Sequence, residues 1–379
     1  MIFTLIPLFL TNILGVGATF VGLVGGLSES TDSILRIASG WFSDRVRKYK
    51  ALALLGYGFS TIAKPFMYFA GAWWAVLGIR FADRLGKGTR SAPRDALISH
   101  SALVGEVGRS FGWHRAMDTA GAMLGLVLAA IIVYSVEGLS HRLGLESYRW
   151  LVIVGVVPAV LAVVVLWRFV RESDGKSIIP GENKVLPKSR FAGFNNQFKI
   201  FLGILAVFTL GRSSDFFLIL RAQNLELPVV TVIIMLVLFN VTYSLVSLPA
   251  GIVSDKLGRR RVIALGWLVY GLVYLGFALV GAAWQVWPLF AVYGIYYGLT
   301  EGVARAFIAD LVPPERRGMA YGLYYGVLGL ALLPASFIAG LLWDAINPSA
   351  PFYFGAVMAF IAVLGMLIFV REGRSLRNI

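Results

Sequence analysis

The sequence predicts an all-α integral membrane protein made of two six-helix bundles, each bundle a copy of the other. Three observations carry that prediction. Of the 379 residues, 58% are hydrophobic and 14% charged, whereas soluble globular chains carry about 45–50% apolar and about 25% charged residues. A soluble fold of this length could not hide so much apolar surface. The apolar residues also fall in long continuous runs, such as Trp150 to Leu166 and Phe352 to Val370. A membrane helix needs about 20 such residues, while a β-barrel would read as short alternating segments. Finally, Gly40-Trp41-Phe42-Ser43-Asp44-Arg45 recurs as Gly251-Ile252-Val253-Ser254-Asp255-Lys256, an offset of 211 residues.

The spans follow in order. At roughly 30 residues per helix and connection the chain holds about twelve. The first half contains helices over 1–14, 18–43, 51–70, 73–97, 108–135 and 148–170. The second contains helices over 198–222, 228–254, 262–281, 285–311, 318–342 and 351–370. Between them, 171–197 holds Asp174-Gly175, Pro180-Gly181, Pro187 and dense mixed charge; such composition ends helices and separates domains. The expected domains are therefore 1–170, a linker at 171–197, and 198–379. The repeat offset brings Arg94 onto Arg305 and aligns Met1 with Arg212, midway along the seventh span. The first helix is accordingly expected to lack about 14 residues at its start, being too short to cross a bilayer.

Charge placement excludes other classes. The net charge of +14 is not spread as a nucleic-acid footprint. It clusters at Arg45/Arg47/Lys48/Lys50, Lys176/Lys184/Lys188/Arg190, Lys256/Arg259/Arg260/Arg261, Arg316/Arg317 and Arg371/Arg374/Arg377, while the intervening turns carry few cations beyond Arg142 and Arg149. This alternation places the basic loops, including the linker and the C-terminus, in the cytoplasm of a multi-pass membrane protein. The partners expected are the lipid bilayer and a small molecule, with no nucleic acid and a monomeric chain. Cysteine is absent, removing thiol catalysis and thiolate metal sites. A membrane-embedded enzyme would need a nucleophile or metal cluster, yet only His100, His114 and His141 are available, without a His-Glu-x-x-His motif. A membrane sensor would append a soluble domain. Gly86-Lys87-Gly88 lacks nucleotide-loop spacing. No metal or cofactor is expected, nor enzymatic activity.

Gly251-x-x-x-Asp255-Lys256-x-Gly258-Arg259-Arg260 resembles the loop between the second and third helices of the major facilitator superfamily, in its second-half copy. Gly40-x-x-x-Asp44-Arg45 resembles the first-half copy, with Arg47 where a second Gly is expected. Arg80-Phe81-Ala82-Asp83 is similar to the family's fourth-helix Arg motif, and Gly121-x-x-x-Gly125 to its antiporter motif, with Leu126 replacing the usual Pro. The resemblance, to a bacterial branch of unassigned substrate, implies a secondary active transporter of the bacterial inner or plasma membrane working by alternating access, with helices 1, 4, 7 and 10 lining a central cavity. It also implies that Asp44 and Asp255 cap helix ends in the opposite half and close the cytoplasmic side. A proton-coupled multidrug exporter is the alternative.

Helical spacing nominates the site. At 100° per residue, Arg80, Asp83, Arg84, Lys87, Arg90, Arg94 and Asp95 occupy one arc of the fourth helix. Each such charge would cost about 2.5–3.5 kcal/mol or more against lipid, so the stripe lines a wet cavity or pairs with neighbouring helices. Tyr293, Tyr297, Glu301 and Arg305 form a stripe on the tenth helix, and Arg212 and Asp215 lie at spanning depth on the seventh. Substrate contacts are expected from Arg80, Asp83, Arg84, Lys87, Arg212, Asp215, Tyr293, Tyr297, Glu301 and Arg305. Proton coupling is expected from Asp83, Asp215, Glu301 or Asp32, the last also an i,i+4 mate of Arg36. Gating is expected from Gly40, Asp44, Arg45, Asp95, Gly251, Asp255, Lys256, Gly258, Arg259 and Asp310. Gly40 and Gly251 would permit close helix approach, and Asp95 and Asp310 would receive loop cations.

Overall fold

Every long apolar run becomes a helix, and no strand occurs among the described residues. The computed structural model describes residues 2–46, 48–101, 107–172, 194–313 and 316–371. The predicted linker lies almost wholly outside them. The first half comprises α1 (Phe3–Ile13), α2 (Ala18–Val46), α3 (Tyr49–Ala63), α4 (Trp73–Ser101), α5 (Val107–Glu137) and α6 (Leu145–Phe169). The second comprises α7 (Asn196–Gly211), α8 (Phe216–Asn224), α9 (Val229–Leu257), α10 (Arg259–Leu279), α11 (Val286–Leu311), α12 (Arg317–Ala345) and α13 (Ala350–Phe369).

The seventh span is the main departure from expectation. The sequence predicts one helix over 198–222, but it breaks at Arg212–Asp215 into α7 and α8. Gly211 followed by Arg-Ser-Ser-Asp is a poor helical run, because Ser and Asp side chains compete for backbone partners. Tertiary contacts take up the freed groups: Tyr270 Oη donates to Gly211 O at 3.2 Å, and Ser214 N donates to Ser336 Oγ at 3.0 Å. α3 also ends early, where Pro65 lacks the N–H to continue it, and passes into a 3-10 turn over Lys64–Phe69.

Among the described residues, seven helical segments are long and apolar enough to cross a membrane by length and composition alone. The outward faces of α5, α6, α9 and α13 expose large apolar side chains, among them Leu124, Ile131, Leu161, Leu248 and Leu364. In water such a surface would aggregate; against lipid tails it is at home. Helices reach one another through small residues. Gly56 of α3 and Gly86 of α4 meet so closely that a Cβ on Gly56 would lie 2.6 Å from Gly86 O. α2 and α12 join the halves in the same way, and a Cβ on Gly340 would lie 2.5 Å from Thr19 Cα. Both are the small-residue seams of membrane bundles.

Successive antiparallel helices give the molecule two ends. The linker end carries the termini of α6 and α7 joined through 173–193, with the α2–α3 and α9–α10 turns. The far end carries the α5–α6, α8–α9 and α10–α11 connections.

Candidate functional site

The α3–α4 glycine seam positions the first group of charges. It brings Ser60 of α3, and Lys64 just past its end, over Asp83 of α4. Ser60 Oγ donates to Asp83 Oδ1, Lys64 Nζ lies 3.6 Å from the same oxygen and donates to Ser60 Oγ at 2.9 Å. Arg80 Nη1 stands 3.6 Å from Asp83 Oδ2. Arg80 and Asp83 are buried, and the Arg80 guanidinium sits 4.5 Å from the centre of the Phe3 ring of α1. A buried carboxylate held by two cations and a hydroxyl is an internal network, costly to break from either side.

One turn further toward the linker end, Arg84 Nη1 and Lys87 Nζ lie 3.7 and 3.2 Å from Asp32 Oδ2 of α2. Asp83 and Lys87 thus each belong to a group that joins α4 to another helix. Asp32 reaches α4 because Ser39 Oγ donates to Gly88 O at 2.7 Å and holds α2 flush against it. The Arg36 side chain lies outside the described residues. Side-chain exposure rises along the stripe, from 2% at Arg80 to 16% at Arg84 and 35% at Lys87. The stripe therefore opens toward the linker end.

The second half answers with a different construction. At the α7–α8 break, Arg212 Nη2 donates to Tyr297 Oη at 2.7 Å, Tyr297 Oη donates to Asp215 Oδ2 at 2.9 Å, and Tyr293 Oη donates to Asp215 Oδ1 at 2.7 Å. The predicted residues Arg212, Asp215, Tyr293 and Tyr297 thus form one cluster, walled by Phe239, Tyr270, Tyr274 and Tyr296. Glu301 and Arg305 stand nearer the linker end: Tyr243 Oη donates to Glu301 Oε2, and Arg305 Nη2 is 3.9 Å from Glu301 Oε1. These two are half-exposed and lie outside the tyrosine wall.

Glu29 of α2 stands between the groups, within electrostatic range of Arg80 and Arg84 on one side and Arg212 and Asp215 on the other. Gly25, one turn before it, packs on the break, where a Cβ would come 2.8 Å from Ser214 Oγ. Sequence reasoning left Glu29 out of the expected site residues. It missed Lys64, although a lone lysine inside the apolar stretch 51–70 was a legible signal.

This arrangement, two helical halves meeting on a charged seam at mid-depth, has relatives. The family model described as Major Facilitator Superfamily matches residues 1–221 and again 200–379. The chain belongs to the major facilitator superfamily. An uncharacterized MFS-type transporter of Methanocaldococcus jannaschii is 37% identical over 98% of this chain and 90% of its own length. The class B tetracycline resistance protein of Escherichia coli is 30% identical, over 34% of this chain and 31% of its own. Among solved structures, a mutant of the nucleoside transporter NupG superposes with a TM-score of 0.79 at 13% identity, covering 96% of this chain and 94% of that one. A D-xylose-proton symporter superposes at 0.75 and 15% identity, covering 97% and 93%. At such identities the structural likeness concerns the fold.

The superfamily loop motif is visible in its second copy. Gly258 has φ +94°, open to glycine at little cost, and joins α9 directly to α10. Arg259 Nη2 lies 3.4 Å from Asp255 Oδ1 and Arg259 Nη1 2.9 Å from Asp310 Oδ1, so Arg259 ties the loop to the end of α11. The Asp255 carboxylate faces Arg259 of its own half. One expectation needs correction. Gly251 was expected at a close crossing, yet a Cβ there would meet nothing within 4 Å; with the far end closed, α9 stands clear at this level. Lys256 is exposed in the last turn of α9. Asp95 accepts from Arg94 Nη2 at 2.8 Å, a neighbour on its own helix. The side chains of Asp44 and Arg45, and the surroundings of Gly40, lie outside the described residues.

Proposed function

We propose that this superfamily member is a secondary active transporter of a small anionic or zwitterionic solute, coupled to protons, with the seam between its halves as the binding site. The observation that carries the reading is the unequal charge of the two walls. On the first-half side Lys64, Arg80, Arg84, Lys87 and Arg90 face Glu29, Asp32 and Asp83. On the other side Arg212 is matched by Asp215, with tyrosines around them. Arg80 Nε, Arg84 Nε and Arg90 Nε are buried without a hydrogen-bond partner, donors that an anionic group could use. The break between α7 and α8 brings Arg212 and Asp215 to the seam, a placement that discontinuous helices give in secondary transporters. A solute with an acidic group toward α4 and a planar or apolar body against the tyrosines fits both walls.

Asp32 and Glu29 are the carboxylates best placed to take the coupling proton. Each faces cations on α4, so neutralising either changes the wall charge during the cycle. Alternating access then follows from rocking the halves about the seam. The linker end, with its basic loops, faces the cytoplasm in this reading, and the chain lies in the cell membrane as a monomer. Because the chain has no cysteine, single cysteines at Ser177 and Ser375 test the orientation: both should resist impermeant thiol reagents in intact cells, and labelling from outside would reverse it.

A second reading, multidrug export by proton antiport, is favoured by the partial similarity to the tetracycline resistance protein. A ligand-dependent thermal-shift screen followed by flux in proteoliposomes under an imposed pH gradient separates the two. Stabilisation by acidic or zwitterionic solutes and their pH-driven uptake supports the first reading. Stabilisation by apolar cations alone would overturn it.

A further inference from the structure

The far end of the molecule is closed by a device that neither loop motif describes. Asp344, near the end of α12 in the second half, sits over the start of α2 in the first. Its Oδ1 accepts from Ala18 N at 3.0 Å, and its Oδ2 accepts from Thr19 N at 2.8 Å and from Thr19 Oγ1 at 2.7 Å. Ala18 and Thr19 are the first residues of α2, so the carboxylate meets amides that have no partner inside their own helix. The positive end of the helix dipole adds to the attraction. Gly17 leaves the room: a Cβ there would lie 2.9 Å from Asp344 Oδ2.

Independent contacts close the same end. Val229 N of α9 donates to Ser140 O, and Gln223 Nε2 of α8 donates to His141 O, each at 3.0 Å. Below the latch, α2 and α12 run on as a glycine seam through Gly26 and Gly329. A cavity of about 660 Å³ lies beside the carboxylate, lined by Asn12, His141, Gln223, Glu226 and Trp343. Asp344 is exposed on that side. When it lets go it can be rehydrated at once, so release leaves no bare buried charge.

We propose that Asp344 is the latch of the far-end gate: by capping α2 from the opposite half it holds the halves together there, and the far end opens only when these three hydrogen bonds part. The proposal rests on the alternating-access reading, and its test needs no substrate. Spin labels on Leu139→Cys and Gly281→Cys, exposed far-end positions in opposite halves, report opening by pulsed electron resonance in the full-length protein. A second pair, Ala51→Cys and Leu257→Cys, reports the linker end.

Asp344→Asn keeps the size but removes the charge and one acceptor oxygen. It should raise the open-to-closed ratio at the far end about tenfold, the expected effect of weakening charge-assisted hydrogen bonds. Thr19→Val, which removes only the hydroxyl, should give a smaller shift in the same direction and serves if Asp344→Asn does not fold. Unchanged far-end distances in a folded variant, with only a lower melting temperature, would reduce Asp344 to a static cap and overturn the latch. The linker-end pair judges the underlying reading separately: rocking requires it to shorten as the far end opens. Far-end opening without that shortening would keep the latch and overturn the rocking.

Discussion

The two halves of this protein handle polar groups at membrane depth in opposite ways. On α4 the charges are neutralised by other charges: Asp83 by Arg80 and Lys64, Asp32 by Arg84 and Lys87. At the α7–α8 break a single Arg212 and Asp215 are neutralised through tyrosine hydroxyls, with Tyr297 bonded to both. Ion-pair networks keep a fixed field but break expensively. Hydroxyls can rotate and exchange partners at about 1 kcal/mol each. The first half therefore supplies a standing positive wall, and the second an adjustable one. In the proposed reading the fixed field attracts the solute and the hydroxyls release it.

Breaking the deepest part of the first wall should have the largest effect. Asp83→Ala leaves Arg80 and Lys64 facing each other in a buried site, and should cost about 3–5 kcal/mol of stability, read as a large fall in melting temperature in detergent. An unchanged melting temperature would mean that the network is not what holds α3 to α4.

Arg84 sharpens the comparison, because it lies where the stripe begins to open. Arg84→Ala should raise the apparent KM of the solute found by the thermal-shift screen about tenfold or more. Arg84→Lys should restore only part, since lysine keeps the charge and loses the planar fork. If KM stays put while the melting temperature falls, α4 is a brace and the binding wall lies elsewhere.

The hydroxyl wall predicts a milder result. Tyr297→Phe removes one link from each of Arg212 and Asp215 and should cost about 1 kcal/mol, seen as a modest change in KM with the fold intact. A loss as large as that of Asp83→Ala would erase the distinction between the walls. The smallest equilibrium effect belongs to the exposed loop. Asp255→Asn weakens a pair with Arg259 worth about 0–1 kcal/mol, so melting should hardly move. Flux should slow if the loop takes part in closing the linker end, and equal flux at equal expression would remove it from gating.

Much of this architecture can be read without coordinates, because membrane burial writes itself into composition. The two repeats, the length of each apolar run and the charged face of α4 all follow from local periodicity, and lipid tolerates few alternatives. Tyr293 and Tyr297 were legible as a stripe at helical spacing, and Arg212 and Asp215 as charges at spanning depth on another helix. Their meeting was not, since it depends on a break in the seventh span that tertiary partners such as Ser336 and Tyr270 sustain.

Pairing was the least legible property of all. The spacing of Asp83 and Lys87 suggests one partner, and the α3–α4 crossing chooses another, because Gly56 and Gly86 let Lys64 arrive first. Likewise nothing local to Asp344 marks it as more than a surface carboxylate at a helix end. Its partners are about 325 residues away, and distance in sequence carries no information about which helix ends will face each other. By itself the sequence determined that this chain crosses a membrane as two repeated bundles with charge inside them. Only the tertiary structure decided which charges meet, because ion pairing is set by the closest approach of backbones, and that approach is a property of the packed bundle.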